Sequence, residues 1–391
     1  MKRTPRGEAR QHHPGEGASS GDGTCPAGRP ITATIDLGAL RANLQAVRRH
    51  APGARIMAII KANGYGHGIE RVAAALEGAD AFGVAGIDEA LALRAAGIHH
   101  GIVLLEGFFS VDELPLIAHH GFAVVVHHEE QIRQLAAAPA DHSLTVWLKI
   151  DTGMHRLGLR PHQVEAACQR LRACGNVAAV HFMTHFACAD ERDNPLTRQQ
   201  TDLFHALVQG RGGDTSLANS AAILHWPASH AAQGDAVSWV RPGIMLYGVS
   251  PFPEEDGARL GLLPVMTLTS RLIAVNDCLR GDAIGYGATW RCPEDMRVGV
   301  VAAGYGDGYP RGAVNGTPVL VRGERVPLVG RVSMDMLCVD LRASPDAAIG
   351  DEVVLWGRGL PIEEVARHAG TIAYELLCGV TPRVRIVEQG G

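Results

Sequence analysis

The chain has 391 residues, 46% of them hydrophobic and 20% charged, with a formal net charge of -5. That length exceeds one ordinary core and predicts two domains, or one barrel with an addition. The acidic balance argues against a general nucleic-acid binder, and no apolar run reaches the ~18–20 residues that span a bilayer.

Residues 1–29 are rich in Gly, Pro, Ser and charge and have no apolar core segment. They read as a disordered extension rather than a secretory signal. Asp36-Leu-Gly-Ala-Leu-Arg-Ala-Asn-Leu44 then opens an amphipathic helix with Asp36 as N-cap. Eight β-rich runs follow: Arg55–Ile60, Ala81–Ala85, Gly101–Leu105, Phe122–His127, Leu144–Ile150, Val177–Thr184, Asp214–Leu217 and Val237–Arg241. Between them Ile69–Leu76, Asp88–Ala95 and His162–Ala173 carry helix formers at helical spacing. Eight alternations within about two hundred residues predict a TIM-type (β/α)8 barrel. An open doubly wound sheet is the alternative, because periodicity does not report closure.

After about residue 255 the texture changes. Val265–Ala274, Arg297–Ala303, Pro318–Arg322, Val326–Arg331, Met336–Leu341 and Asp351–Leu355 read as short strands between Gly, Pro and Asp turns, with one substantial helix at Pro361–His368. The predicted organisation is an extension (1–29), a barrel (30–255) and a mainly-β domain (256–391), linked near Pro251–Gly257. The eight cysteines form no C-x-x-C pair. They read as reduced thiols of a cytoplasmic protein, and the scattered histidines suggest no metal site.

Lys61 directly follows the apolar run Ile56–Ile60. It therefore ends a barrel strand on the face where barrels place their chemistry. A desolvated lysine there is a usable nucleophile or base, although a lysine that merely ends a strand satisfies the local pattern equally well. Gly64, Gly66 and Gly68 permit close backbone approach, and Tyr65 could donate to an anion. Ser220 sits near a helix N-terminus, a position suited to an anion or to an ordinary cap. Arg241 ends the eighth strand, where a surface ion pair is the commoner role. His185 alone reads as a core histidine. Gly304, Gly306 and Gly308 lie among strands without the helix that a dinucleotide fingerprint needs.

Ile60-Lys-Ala-Asn-Gly-Tyr-Gly-His-Gly68 resembles the cofactor-attachment motif of the alanine racemases, which are fold-type-III pyridoxal-phosphate enzymes. Further matching segments recur in the family's order: Lys149–Gly158, Thr184–Ala187, Asn219-Ser220, Val240–Ile244, Tyr286–Thr289, Gly304–Pro310, Ser333–Asp335 and Ala373–Glu375.

The resemblance implies racemisation of alanine on pyridoxal 5'-phosphate carried by Lys61. It places Tyr65, Ser220, the backbone N–H groups of Gly243 and Ile244, and Tyr374 on the cofactor phosphate. Arg241 would face the pyridine nitrogen and keep it unprotonated, with His185 bonding nearby. Lys61 and Tyr286 would be the opposed bases, and cationic neighbours would make the Tyr286 phenol more acidic. Arg156 and Met334 would bind the substrate carboxylate, Tyr305 would narrow the entrance, and Lys149 matches a position carbamylated in much of the family. The resemblance further implies a homodimer with shared sites, and a product, D-alanine, used for peptidoglycan, or else a role in alanine catabolism. The rivals are a broader-specificity racemase, a non-catalytic pyridoxal-phosphate-binding protein and a fold-type-III decarboxylase. The β domain with Tyr286 and Tyr305 argues against the second, and Arg241 against the third.

Overall fold

The eight predicted parallel strands close on themselves. In the computed structural model, which describes residues 28–140, 143–231 and 234–391, Ile31–Gly391 forms one unit. The predicted extension lies outside the described residues except for its last two positions. Strand β1 (Thr32–Asp36) leads into the helix Leu37–His50, whose N-cap Asp36 accepts the Ala39 N–H at 2.9 Å. Arg48, Arg49 and His50 in its last turn complement the helix dipole.

The barrel strands are β2 (Arg55–Ile59), β3 (Ala81–Val84), β4 (Gly101–Leu104), β5 (Ala123–Val126), β6 (Leu144–Lys149), β7 (Val177–Met183), β8 (Thr215–Asn219) and β9 (Ser238–Arg241). They pair in parallel in chain order, and β9 returns to β2 through Arg55↔Trp239 and Ile56↔Val240. Closure overturns the open-sheet alternative. Met57, Ile59, Ala81, Val103, Val125, Trp147 and Met183 form one buried cluster, while Ile56, Ala58 and Ile60 belong to the larger core. This alternation separates barrel interior from helix-facing exterior. It explains why β2 is apolar at every position from Ile56 onward.

The second sheet comprises β10 (Met266–Cys278), β13 (Met296–Val301), β14 (Pro318–Val321), β15 (Glu324–Val329), β16 (Leu337–Asp340), β17 (Glu352–Trp356) and β18 (Arg385–Gln389), while β11 (Ala283–Ile284) and β12 (Trp290–Arg291) pair as a separate ribbon. Register shifts at Leu268/Thr269 and Leu272/Ala274 let β10 pair with β1 and β17 along its first half and with β13 along its second. β1 falls within the span expected for the barrel, yet it lies between β10 and β18 in the second sheet. The buried Asn43 fixes the crossing: its amide donates to Leu246 O and Leu263 O and accepts from Leu263 N.

The predicted helix of the second domain forms at Ile362–Ala369, and a shorter one follows at Ala373–Cys378. The Glu363 carboxylate accepts the N–H groups of Ser250 (2.8 Å) and Gly257 (2.9 Å), tying down both ends of the linker. No helix among the described residues is long and apolar enough to cross a membrane.

Candidate active site

A cavity of about 950 Å³ opens where the barrel strands end. Lys61 follows β2, Lys149 ends β6, His185 follows β7, Ser220 follows β8 and Arg241 ends β9, so each of these cavity-lining residues lies at the C-terminal end of its strand. Tyr65, Arg156, Gly243, Ile244 and Tyr374 line the same cavity.

The segment after Lys61 is a left-handed turn. Ala62, Asn63, Gly64, Tyr65 and Gly66 have φ of 53°, 54°, 62°, 52° and 80°, a conformation that costs roughly 1–2 kcal/mol per non-glycine residue. Strain of this kind persists only where the surroundings hold it, and here three side chains do. The Glu89 carboxylate accepts the N–H groups of Ala62 (2.7 Å) and Ala85 (2.8 Å), and Asn63 Oδ1 accepts that of Ile69 at 3.0 Å. His67 is fully buried, with Nδ1 3.1 Å from Gly64 O and 2.8 Å from Tyr65 O. Burial lowers its pKa to about 4, so its ring is neutral. A Cβ on Gly66 would lie 2.1 Å from Leu377 O, so the close approach of Ala373–Cys378 requires glycine there.

Opposite this turn is a cradle of neutral donors. Asn219 caps the helix Ser220–His225 by accepting the Ala222 N–H at 3.0 Å, and Ser220 Oγ accepts from Gly243 N (2.9 Å) and Met245 N (3.4 Å). A Cβ on Gly243 would sit 2.6 Å from Tyr65 Oη, so glycine at this position is what admits the phenol. The Tyr65 ring stacks at 4.6 Å on Tyr247, whose hydroxyl donates to Ile59 O, and lies 6.1 Å from Tyr374. Burial pushes both the Tyr65 and Tyr374 phenols above their ordinary range, leaving them as hydroxyl donors. A lysine beside hydroxyl and backbone donors suits a carbonyl cofactor with a phosphate tail.

Arg241 is buried and is not the surface ion pair that its position alone suggests. Its guanidinium donates to Ser216 Oγ (2.5 Å), Thr184 O (2.6 Å) and Leu217 O (3.2 Å) and lies 3.4 Å from His185 Nδ1. Burial lowers its pKa to about 10, still a cation at neutrality. Burial, then Arg241 and Lys149, hold His185 well below its ordinary value, so it is neutral. Burial, followed by Arg241, Arg156 and Lys61, lowers Lys149 to about 8. The pocket is therefore electropositive, and Lys149 is the cation that it disfavours.

Arg156 is exposed on the loop from Asp151 to Leu159. Asp151 organises that loop by accepting the N–H groups of Gly153 (3.1 Å) and His155 (3.0 Å), the His155 ring (2.8 Å) and Arg160 (3.0 Å). Burial alone would raise the Asp151 pKa, but bonds from His155 and Gly153 outweigh it and hold it at about 2.

Three residues expected at the site stand apart from it within one chain. Tyr286 is 72% exposed on the turn between β11 and β12, Met334 is 52% exposed and Tyr305 is 39% exposed. None of the three lines the cavity. Conversely, Ser216, Glu89 and Gln200 were not singled out in the sequence. Glu89 and Gln200 bond mainly to backbone groups, and Ser216 bonds to Arg241 across 25 residues, so none leaves a spacing signal. His67 lies between Gly66 and Gly68 in the segment that follows Lys61.

The family model described as the alanine racemase N-terminal domain matches residues 35–251, and that of the C-terminal domain matches 265–388. An alanine racemase of Vibrio vulnificus is 54% identical over 361 residues, covering 92% of this chain and 99% of that one. One from Vibrio cholerae is 54% identical over 365 residues, covering 93% and 99%. Among solved structures, the biosynthetic alanine racemase of Pseudomonas aeruginosa superposes with a TM-score of 0.89 at 47% identity, covering 92% of this chain and 99% of that one. The Acinetobacter baumannii alanine racemase gives 0.85 at 38%, covering 92% and 100%. The two family models together span most of the chain in order, and the chain belongs to the alanine racemase family.

Proposed function

We propose that this site interconverts L-alanine and D-alanine with pyridoxal 5'-phosphate bound through Lys61. The observation that carries the reading is the convergence of Lys61, the Ser220–Gly243–Tyr65 cradle and the buried Arg241 on one cavity. The cradle and Tyr374 would hold the phosphate. The cofactor, when bound, makes the substrate α-proton acidic enough to remove. Arg241, held as a fixed cation, would donate to the ring nitrogen and keep it from taking a proton, which favours return of the proton to Cα. A carboxylate there would do the opposite, so Arg241 favours racemisation over decarboxylation or transamination.

Lys61 Nζ would take or return the α-proton on one face of the substrate and Tyr286 Oη on the other. Arg156 would orient the carboxylate with Met334, and Tyr305 would limit side-chain size. The exposure of Tyr286, Met334 and Tyr305 supports a homodimer in which a second copy supplies these residues to the cavity. Lys149, lowered to about 8 among cations, would more readily lose its proton and give the neutral amine needed to attack carbon dioxide. The resulting carbamate, formed with loss of a proton, would anchor Arg156. A cytoplasmic enzyme supplying D-alanine for peptidoglycan, or serving alanine catabolism, completes the reading. Chiral chromatography of the purified protein with L-alanine and L-serine tests it: D-alanine should accumulate to equimolarity, and no D-alanine with cofactor bound would refute it.

A further inference from the structure

The ladder between β6 and β7 ends just where the substrate-facing residues begin. Ile150 N–H donates to Met183 O at 2.8 Å; beyond it Asp151 N–H turns to Leu159 O and Thr184 N–H turns to Ser216 O. The two segments thus part, one towards Arg156 and the other towards His185. Gln200, on the helix Leu196–Val208, occupies the opening and is fully buried. Its Nε2 donates to His185 O (3.0 Å) and to Thr152 Oγ1 (3.1 Å), and its Oε1 accepts the Ala187 N–H (3.0 Å). Thr152 Oγ1 lies 2.8 Å from Thr184 Oγ1, and both threonines are buried. Both amide N–H groups of Gln200 are engaged, and exchanging its amide nitrogen and oxygen would lose the bonds to His185 O and from Ala187 N–H.

We propose that Gln200 is a positioning residue for the racemase reaction: through Thr152 it fixes the loop carrying Arg156 against the strand end carrying His185. Gln200 itself lies outside the cavity lining and touches none of the proposed reacting groups. Its effect passes through the placement of Arg156, which must meet a carboxylate of fixed geometry. The inference rests on the proposed role of Arg156 in holding the substrate carboxylate.

The test is calorimetric titration of propionate into the cofactor-loaded enzyme, alongside KM and kcat for alanine and cofactor content by visible absorbance. Gln200→Met keeps the volume and removes all three of its hydrogen bonds; Thr152→Val removes the hydroxyl that bonds both Gln200 and Thr184, and Thr152→Ser retains it. Gln200→Met and Thr152→Val should each weaken propionate about tenfold and raise KM to match, with kcat less affected and cofactor content unchanged, as loss of registry at a charged contact predicts. Thr152→Ser should restore wild-type affinity. Wild-type propionate affinity and KM in folded, cofactor-loaded Gln200→Met would overturn the proposal. Should that variant not fold, Thr152→Val decides by the same criterion. Arg156→Ala separates the two levels: if it too leaves propionate binding intact, the carboxylate role of Arg156 fails, whereas weakened binding in Arg156→Ala with intact binding in the Gln200 and Thr152 variants removes the positioning role alone.

Discussion

Ser216 Oγ accepts a 2.5 Å hydrogen bond from the Arg241 guanidinium and donates its own proton to Trp239 O at 2.8 Å. Both side chains are buried, and among the described residues the acceptors of the Arg241 guanidinium are a hydroxyl and backbone carbonyls rather than a carboxylate. Ser216→Ala removes one acceptor from a buried cation, a change expected to cost about 1–3 kcal/mol. Urea unfolding should show that loss, and racemisation should slow together with a shift in the visible spectrum as Arg241 moves relative to the cofactor ring. Unchanged stability and spectrum would mean that Ser216 does not restrain Arg241.

The assignment of Lys61 makes a chemical prediction independent of turnover. Borohydride should attach the cofactor irreversibly to the peptide containing Lys61, and Lys61→Ala should lose both the visible band and racemisation. The Ser220 cradle is untouched by that substitution, so weak phosphate-mediated binding should persist. Labelling at Lys149 instead would reverse the roles given to the two lysines.

Lys149 ties the pocket's electrostatics to stability. Its folded pKa is lowered from 10.5 to about 8, so between those values the unfolded chain binds the extra proton. Stability then rises with pH across that window. The shift bounds the effect at about 3 kcal/mol. In buffer depleted of carbon dioxide, urea unfolding of the wild type should show this rise relative to Lys149→Met. If the carbamate proposed for Lys149 forms, added bicarbonate should extend that rise below about pH 8, because carbamylation strips the ammonium proton from the folded chain only. Parallel pH profiles for the two proteins without carbon dioxide would contradict the lowered pKa.

How much of this was legible in the sequence follows from where each residue's partners lie. All eight barrel strands were readable because burial on two faces leaves short apolar runs between amphipathic helices. β1 was not, because Thr-Ala-Thr-Ile-Asp is short and its partners β10 and β18 are more than two hundred residues away. Lys61, Ser220 and Arg241 were legible through motifs in family order. Gln200 was hidden: it sits in a helix whose buried face also carries Thr197 and Thr201, so its position shows neither an apolar stripe nor a charged surface. Tyr286 was legible as a residue type, and within one chain it is 72% exposed and apart from the cavity.

That exposure leads to a test of the shared site in solution. Suppose each site takes Lys61 from one chain and Tyr286 from its partner. Lys61→Ala and Tyr286→Ala homodimers should then each be nearly inactive, because every site carries a lesion. Unfolding the two together and reassembling them produces mixed dimers with one doubly damaged site and one intact site. Random pairing of equal amounts makes about half the dimers mixed, restoring about a quarter of wild-type activity under simple C2 association. If Lys61 and Tyr286 served a site within one chain, every mixed dimer would still hold two damaged sites and mixing would restore nothing. Wild-type protein taken through the same refolding controls for poor recovery. With that control active, activity no higher than that of the separate variants would exclude the shared site, since random assembly could not avoid creating intact ones.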